Sequence, residues 1–373
     1  MITAEQKILL LADANSVHTF KLARSLVENN INVLIFSLDS DLHIDYSQLK
    51  NLQIEFAKQK AQGKMNKFGE IYKTGYILAL SKLKSVIKTF KPDILHAHYA
   101  SSYGLLGSLS GFHPYILSVW GSDVYDFPTK SFFHKMILKY NFRKADMIMS
   151  TSKAMADETK KYTNKDILVT PFGIDLNSFK PKEVKSIFSE NDIVIGTIKT
   201  LEDIYGIDYL IKAFSLLVKA NPDLPLKILI VGDGSQRTHL ESLTDQLGIK
   251  DKTKFTGRIP YNKLPEYHNM ISIFVALSKS ESFGVAIVES SACGKPVVVS
   301  NVGGLPEVVQ NDKTGFIVPA KNEQAAYEAL EKLVKSEELR ENMGRKGRKF
   351  VEENYNWGNN VRVIIQAYKS FNG

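Results

Sequence analysis

Short apolar runs alternate with helical stretches along both halves of this chain, and that alternation leaves little choice of architecture. Residues 7–12 (KILLLA) read as a buried strand, 17–28 as an amphipathic helix and 33–38 as the next strand, a βαβ opening. Further strands are expected at 93–100, 115–120, 147–151 and 167–172, with a helix over 72–90. Beyond Phe179-Lys180-Pro181 the alternation starts again. Strands are expected at 193–199, 227–231, 254–257, 273–277 and 297–300, and helices at 207–220, 236–247, 261–270 and 285–293. Strands apolar on both faces need cover on both, which crossover helices on a parallel sheet provide. The expected fold class is therefore α/β, with two Rossmann-like doubly wound domains. A length of 373 residues agrees, being long for one core.

Composition excludes several function classes. The only cysteine is Cys293, so no disulfide within the chain and no cysteine-rich metal site is expected, and in its helix it reads as a small core residue. His96 and His98 share one side of their strand, but no third ligand follows at a telling spacing. The first turn, residues 13–18 (DANSVH), lacks the GxGxxG of dinucleotide-binding folds, which argues against an NAD enzyme. Ser16 is a good N-cap there, and His18 falls near the mouth of the sheet, where doubly wound folds bind ligands. The N-terminus has no cleavable signal pattern and no run of 18 apolar residues occurs, so a cytoplasmic protein is expected.

Charge is unevenly spread. Residues 1–180 carry 23 Lys/Arg against 16 Asp/Glu, nearly all of the net +8. Within them, residues 58–91 hold nine lysines and one acid, Glu70. A solvated basic face is the common meaning of such a run. The functional one is attraction to an anionic membrane surface, peripheral on the inner face of the plasma membrane, or to an acidic acceptor. No nucleic acid partner is expected.

The most informative stretch is 276–309, ALSKSESFGVAIVESSACGKPVVVSNVGGLPEVV. A strand leads through Glu281, Ser282 and Phe283 to Gly284, which opens a helix. Gly303-Gly304 forms a second glycine loop that is expected to open another. Helix N-termini suit phosphate, and Glu289 lies about 7–8 Å along the axis from Gly284. That is the span from a diphosphate to its ribose. One carboxylate can hold a sugar beyond the phosphates while the other holds ribose hydroxyls.

Glu281 and Glu289 at this spacing, followed by Cys293-Gly294-Lys295-Pro296 and Gly303-Gly304, resemble the retaining glycosyltransferases of family 4. The resemblance implies the GT-B fold, two Rossmann-like domains facing across a cleft. It sets an acceptor-binding domain at 1–180, a nucleotide-sugar domain at 181–355 and a helix at 356–373 that returns to the first. It also implies transfer of a sugar, expected to be UDP-linked, to a hydroxyl of a glycan or lipid-linked acceptor, as in cell-surface polysaccharide or glycoconjugate synthesis. The expected enzyme is a retaining hexosyltransferase that uses front-face attack, with no metal and no cofactor. Glu281 and Lys199 are the expected catalytic residues. Glu289, Phe283, Gly284, Val285, Ala286 and Arg258 are expected at the nucleotide sugar, and His18 and Asp123 on the acceptor side, Asp123 receiving the acceptor or bracing its loop.

The chain departs from the family pattern in four places, the first being the turn at 13–18, which lacks the glycines that relatives often carry there. Trp120 stands where relatives commonly carry histidine, Thr197 where they carry arginine, and Tyr205 where they carry lysine. Lys199 is the cation that remains. A GT-B epimerase and a non-catalytic nucleotide-sugar-binding protein are the alternatives. A phosphorylase would need a pyridoxal phosphate lysine, and none is marked.

Overall fold

The computed structural model describes residues 6–39, 41–57 and 73–371. The chain divides into two compact units, Met1–Pro171 with Val361–Gly373, and Phe172–Asn360. The first is built on β1 (Lys7–Leu11), β2 (Asn32–Ser37), β3 (Leu52–Phe56), β4 (Ile94–His98), β5 (Tyr115–Val119), β6 (Met147–Ser150) and β7 (Ile167–Val169). They form a parallel sheet in the order β3-β2-β1-β4-β5-β6-β7. The second is built on β8 (Ile193–Ile198), β9 (Leu226–Val231), β10 (Thr253–Gly257), β11 (Ile273–Ala276), β12 (Val297–Ser300) and β13 (Gly315–Val318). These are parallel in the order β10-β9-β8-β11-β12-β13.

The sequence accounts for this layout directly. Ile8, Leu9, Leu10 and Leu11 are all fully buried, so β1 is covered on both faces. Strand order reverses once in each sheet, between β1 and β4 and between β8 and β11. At such a point neighbouring crossovers leave to opposite faces, and a crevice opens beyond the strands' carboxyl ends. Phe179, where the sequence reading put its domain boundary, is fully buried in the core of the second unit.

Two expected helices are cut short for local reasons. The segment from Tyr261 begins as a single 3-10 turn, Tyr261–Lys263, and becomes α-helical over Leu264–Met270. Pro265, which has no N–H to donate, sits in the first turn of that helix, where none is needed. The helix expected after Gly303-Gly304 is only the 3-10 turn Leu305–Glu307. The Glu307 carbonyl accepts instead from the Tyr355 hydroxyl at 2.8 Å.

In the lysine-rich stretch, Lys58, Lys60, Lys64, Lys67 and Glu70 lie outside the described residues. The helix Lys73–Phe90 buries Ala79, Leu83 and Val86. Lys82 does not join a free basic face. Its ammonium pairs with Glu55 at 3.1 Å and donates to the Phe56 carbonyl at 2.6 Å. Lys84, Lys88 and Lys91 are exposed. Among the described residues no helix is long and apolar enough to cross a membrane.

The final helix, Trp357–Lys369, belongs to the first unit from Val361 onward. There the Tyr368 hydroxyl meets His96 Nδ1 on β4 at 2.7 Å, and His96 Nε2 meets the Ser118 hydroxyl on β5 at 2.7 Å. All three groups are buried, and burial pushes the His96 pKa down to about 3. The folded chain therefore holds a neutral imidazole between two hydroxyls. Below the ordinary histidine value of 6.5 only the unfolded chain takes up that proton. The stabilisation from His96 should be complete above that value and lost as pH falls towards 3. Replacing Tyr368 with Phe leaves Nδ1 without a partner and should cost about 1–2 kcal/mol in urea unfolding at neutral pH. An unchanged midpoint would mean that the bond contributes nothing.

Candidate functional site

The crevice at the β8/β11 switch point gathers charged side chains from distant parts of the second unit. Lys199 directly follows β8, and Glu281 lies in the loop beyond β11. The Lys199 ammonium and a Glu281 carboxylate oxygen are 2.5 Å apart, with side chains 22% and 13% exposed. The same ammonium stands 4.3 Å from the centre of the Tyr205 ring, a cation–π contact. The Ser278 hydroxyl reaches the same carboxylate oxygen at 3.5 Å. The two residues expected to be catalytic are thus brought together as a mostly buried ion pair. The aromatic ring beneath the lysine belongs to Tyr205, one of the chain's departures from the family pattern.

The loop carrying Glu281 is held by backbone. Gly303 has φ +48°, and a Cβ there would stand 1.9 Å from the Glu281 carbonyl oxygen. That carbonyl accepts from Gly304 N–H at 3.1 Å. Next to it, Gly284 turns the chain through φ +97° into the helix Val285–Ala292. The amides of Val285 and Ala286, in its first turn, have no intrahelical acceptor and suit an anion. Phe283 is buried, with Phe172 and Tyr355 edge-on at 5.9 and 5.6 Å, and anchors the turn.

Glu289 is not joined to this pair. It is 3% exposed and is held from the segment after β10. The Tyr261 hydroxyl donates to one carboxylate oxygen at 3.2 Å, and His268 Nε2 lies 3.4 Å from the other. Burial, then the neighbouring carboxylate, raises the Tyr261 pKa, which keeps the phenol a donor. Neither Tyr261 nor His268 was foreseen as a partner. They are 28 and 21 residues away, and nothing local marks them. Arg258 is exposed on the loop that follows β10. Cys293 is buried, and burial pushes its thiol up to about 12, which makes it inert.

In the first unit, the β1/β4 crevice carries an aromatic cluster. Ser16 caps the helix Val17–Glu28, accepting from Thr19 N–H, and so sets His18 in its first turn. The His18 ring stands edge-on to Trp120 at 5.8 Å, and Trp120 lies 4.4 Å from His98 and 5.4 Å from Tyr99. Asp123 is beneath, 1% exposed. Its carboxylate accepts N–H from Ala100 at 2.7 Å, Gly121 at 2.8 Å and Trp120 at 3.2 Å. Burial raises its pKa against the opposing effect of those amides. His18 and Asp123 thus meet through Trp120, with Asp123 tying together the loops after β4 and β5.

Residues 179–350 match the family model described as Glycosyl transferases group 1, and residues 7–152 match Glycosyl transferase 4-like. The N-acetyl-alpha-D-glucosaminyl L-malate synthase of Bacillus anthracis is 26% identical over 311 residues, 78% of each chain. Among solved structures, a sucrose-phosphate synthase from Thermosynechococcus elongatus superposes with a TM-score of 0.84 at 19% identity, over 98% of this chain and 99% of its own. The Anabaena protein HepE, determined with UDP and glucose, gives 0.79 at 17% identity, over 98% of this chain and 100% of its own. Each of these two likenesses is one of fold.

The glycine contact gives a direct test of how the Glu281 loop is held. Gly303→Ala forces Cβ into the Glu281 carbonyl and puts a side chain in the left-handed region, so it should lower stability by about 2 kcal/mol or more. Gly111→Ala has a similar φ, +70°, with nothing within 4 Å, and should cost clearly less. Equal losses in thermal unfolding would show that the close approach is relaxed away.

Proposed function

Because this chain belongs to the group 1, family 4-like glycosyltransferases and has the GT-B fold, we propose that the Lys199–Glu281 pair receives the diphosphate and donor sugar of a UDP-sugar. As a member of this family the protein is a retaining glycosyltransferase that draws on a nucleotide sugar. UDP as the nucleotide, a hexose as the sugar and a glycan or lipid-linked hydroxyl as acceptor are our reading. The Anabaena protein of the same fold holds UDP.

The observation that carries this reading is the ion pair at the switch point, 2.5 Å long and next to the open first turn of Val285–Ala292. Before donor binds, each partner neutralises the other at low exposure, where an uncompensated charge is costly. An incoming diphosphate accepts from the helix amides and from Lys199. That frees the Glu281 carboxylate to accept hydrogen bonds from the donor sugar's hydroxyls. The ring of Tyr205 supports the ammonium in both states. Glu289 keeps lone pairs beyond the two bonds it receives from Tyr261 and His268, and these serve the ribose hydroxyls. Arg258 flanks the base.

In the transfer, the bond between the anomeric carbon and the β-phosphate oxygen breaks. The acceptor oxygen bonds to that carbon on the same face. Its proton passes to the departing phosphate oxygen, so that no protein nucleophile is used. Negative charge on the diphosphate grows as the bond lengthens, and this is where the helix amides and Lys199 act. On the acceptor side, Asp123 fixes Trp120, and Trp120 with His18 offers an apolar and polar face to a sugar or lipid-linked hydroxyl.

Thr197, buried where relatives carry arginine, favours one second reading, a protein that binds the nucleotide sugar without turnover. Steady-state kinetics and UDP titrations of three variants separate the two. Lys199→Ala should lose about 3 kcal/mol of transition-state stabilisation, seen mainly in kcat. Glu289→Gln should raise the donor KM by the equivalent of about 1.5–3 kcal/mol. Glu281→Gln should lose turnover while keeping UDP affinity. Binding of UDP-sugar with no product from any glycan or lipid acceptor would support the second reading. Normal kinetics in all three variants would remove both.

A further inference from the structure

We propose that the first unit docks on an anionic lipid bilayer through the helix Phe132–Lys144, whose first turn forms an apolar wedge set among cations. Phe132, Phe133 and Met136 are 71%, 76% and 48% exposed, although all three are large and apolar. The inward side of this helix is ordinary core, with Leu138 and Phe142 fully buried. The exposure is therefore a property of one face. The same helix and its approach carry Lys130, Lys135, Lys139, Arg143 and Lys144, with no Asp or Glu between residues 127 and 145. Among the described residues none of the five enters an ion pair with a carboxylate. Arg143 and Lys144 instead lie 5.6 and 5.9 Å from the Tyr140 ring.

A second exposed pair extends this surface. Ile77 and Leu78, at 69% and 68% exposure, lie near the start of the helix Lys73–Phe90. That helix, the helix Ser102–Ser110 and the helix Phe132–Lys144 all pack on the same face of the first sheet, the second of them between the other two. Helices Lys73–Phe90 and Phe132–Lys144 each return the chain from the end of one parallel strand to the start of the next. Their N-terminal turns therefore lie at the same edge, the one where the strands end. Two helix spacings separate the pairs, about 20 Å.

Charge and shape together select the occupant. A second copy of this face would set five cations against five, which disfavours self-association. A polyanion without hydrocarbon would satisfy the cations and leave the Phe, Met, Ile and Leu side chains in water. An anionic bilayer satisfies both, since the rings enter the boundary of headgroups and acyl chains while the lysines stay at the phosphates. The edge so placed also carries the His18–Trp120 crevice at the ends of β1 and β5. Docking does not depend on the acceptor being lipid-linked, and its test reads no turnover.

The test is co-sedimentation of the whole chain with vesicles of phosphatidylcholine alone or mixed with phosphatidylglycerol. Binding should need the anionic lipid and should weaken when ionic strength rises from about 0.1 M to about 1 M, where the Debye length falls from about 10 Å to about 3 Å. The triple variant Phe132→Ser, Phe133→Ser, Met136→Ser should lose affinity by about tenfold or more yet keep the salt dependence. The triple variant Lys135→Gln, Lys139→Gln, Arg143→Gln should lose the preference for anionic lipid. Both sets of residues are exposed, so thermal unfolding and UDP binding should stay at wild-type values and guard against misfolding. Equal binding to neutral vesicles, or binding untouched by the serine variant, would overturn the proposal. So would a dimer in sedimentation velocity that the serine variant dissolves without any vesicle binding, since the occupant would then be a second copy.

Discussion

A strand that is apolar on both faces has to be covered twice, and most of this molecule follows from that requirement. Parallel strands cannot be joined by tight turns, so every connection is a crossover long enough to carry a covering helix. With helices on both faces, strand order must reverse somewhere, and the reversal leaves a crevice that no crossover fills. In the second unit this crevice lies between β8 and β11, and the residues that follow those two strands are Lys199 and the loop with Glu281. In the first it lies between β1 and β4, with His18 beyond one and Tyr99 beyond the other. The candidate groups of each unit are therefore placed by its sheet, before any particular side chain is chosen.

What the sequence reveals of this fold depends on how each element is buried. Strands such as KILLL and VVVS are continuous apolar runs and stand out from what surrounds them. Strand β3, LQIEF, escaped notice because it is an edge strand with only one neighbour, and none of its residues is fully enclosed. The helix Ser102–Ser110 escaped for a different reason. Its SYGLLGSLS is poor in strong helix formers, and it is helical because it is packed between two others. The helix Glu337–Asn354 carries charges around most of its circumference, which blurs its apolar face.

The candidate site divides along the same line. The helix Val285–Ala292 with its glycine entry is local, and so could be read from a dozen consecutive residues. The partners of its side chains are not local. Glu281 meets a lysine 82 positions earlier, and Glu289 is enclosed by Tyr261 and His268. Only the assembled sheet brings those groups together. The replacement of a family lysine by Tyr205 likewise reads as a loss in one dimension. In three it is a ring under the ammonium that remains.

The bond between His96 and Tyr368 joins residues 272 positions apart, and this bears on how the protein is made. The second unit is a continuous stretch of chain, whereas the first is built from segments on either side of it. A chain leaving the ribosome therefore has β1 to β7 in hand while the helix that completes their core is still untranslated. The unit that begins first is finished last. For most of its synthesis, its buried histidine and the surface due to receive Val361, Ile365 and Tyr368 stay open to water and to chaperones.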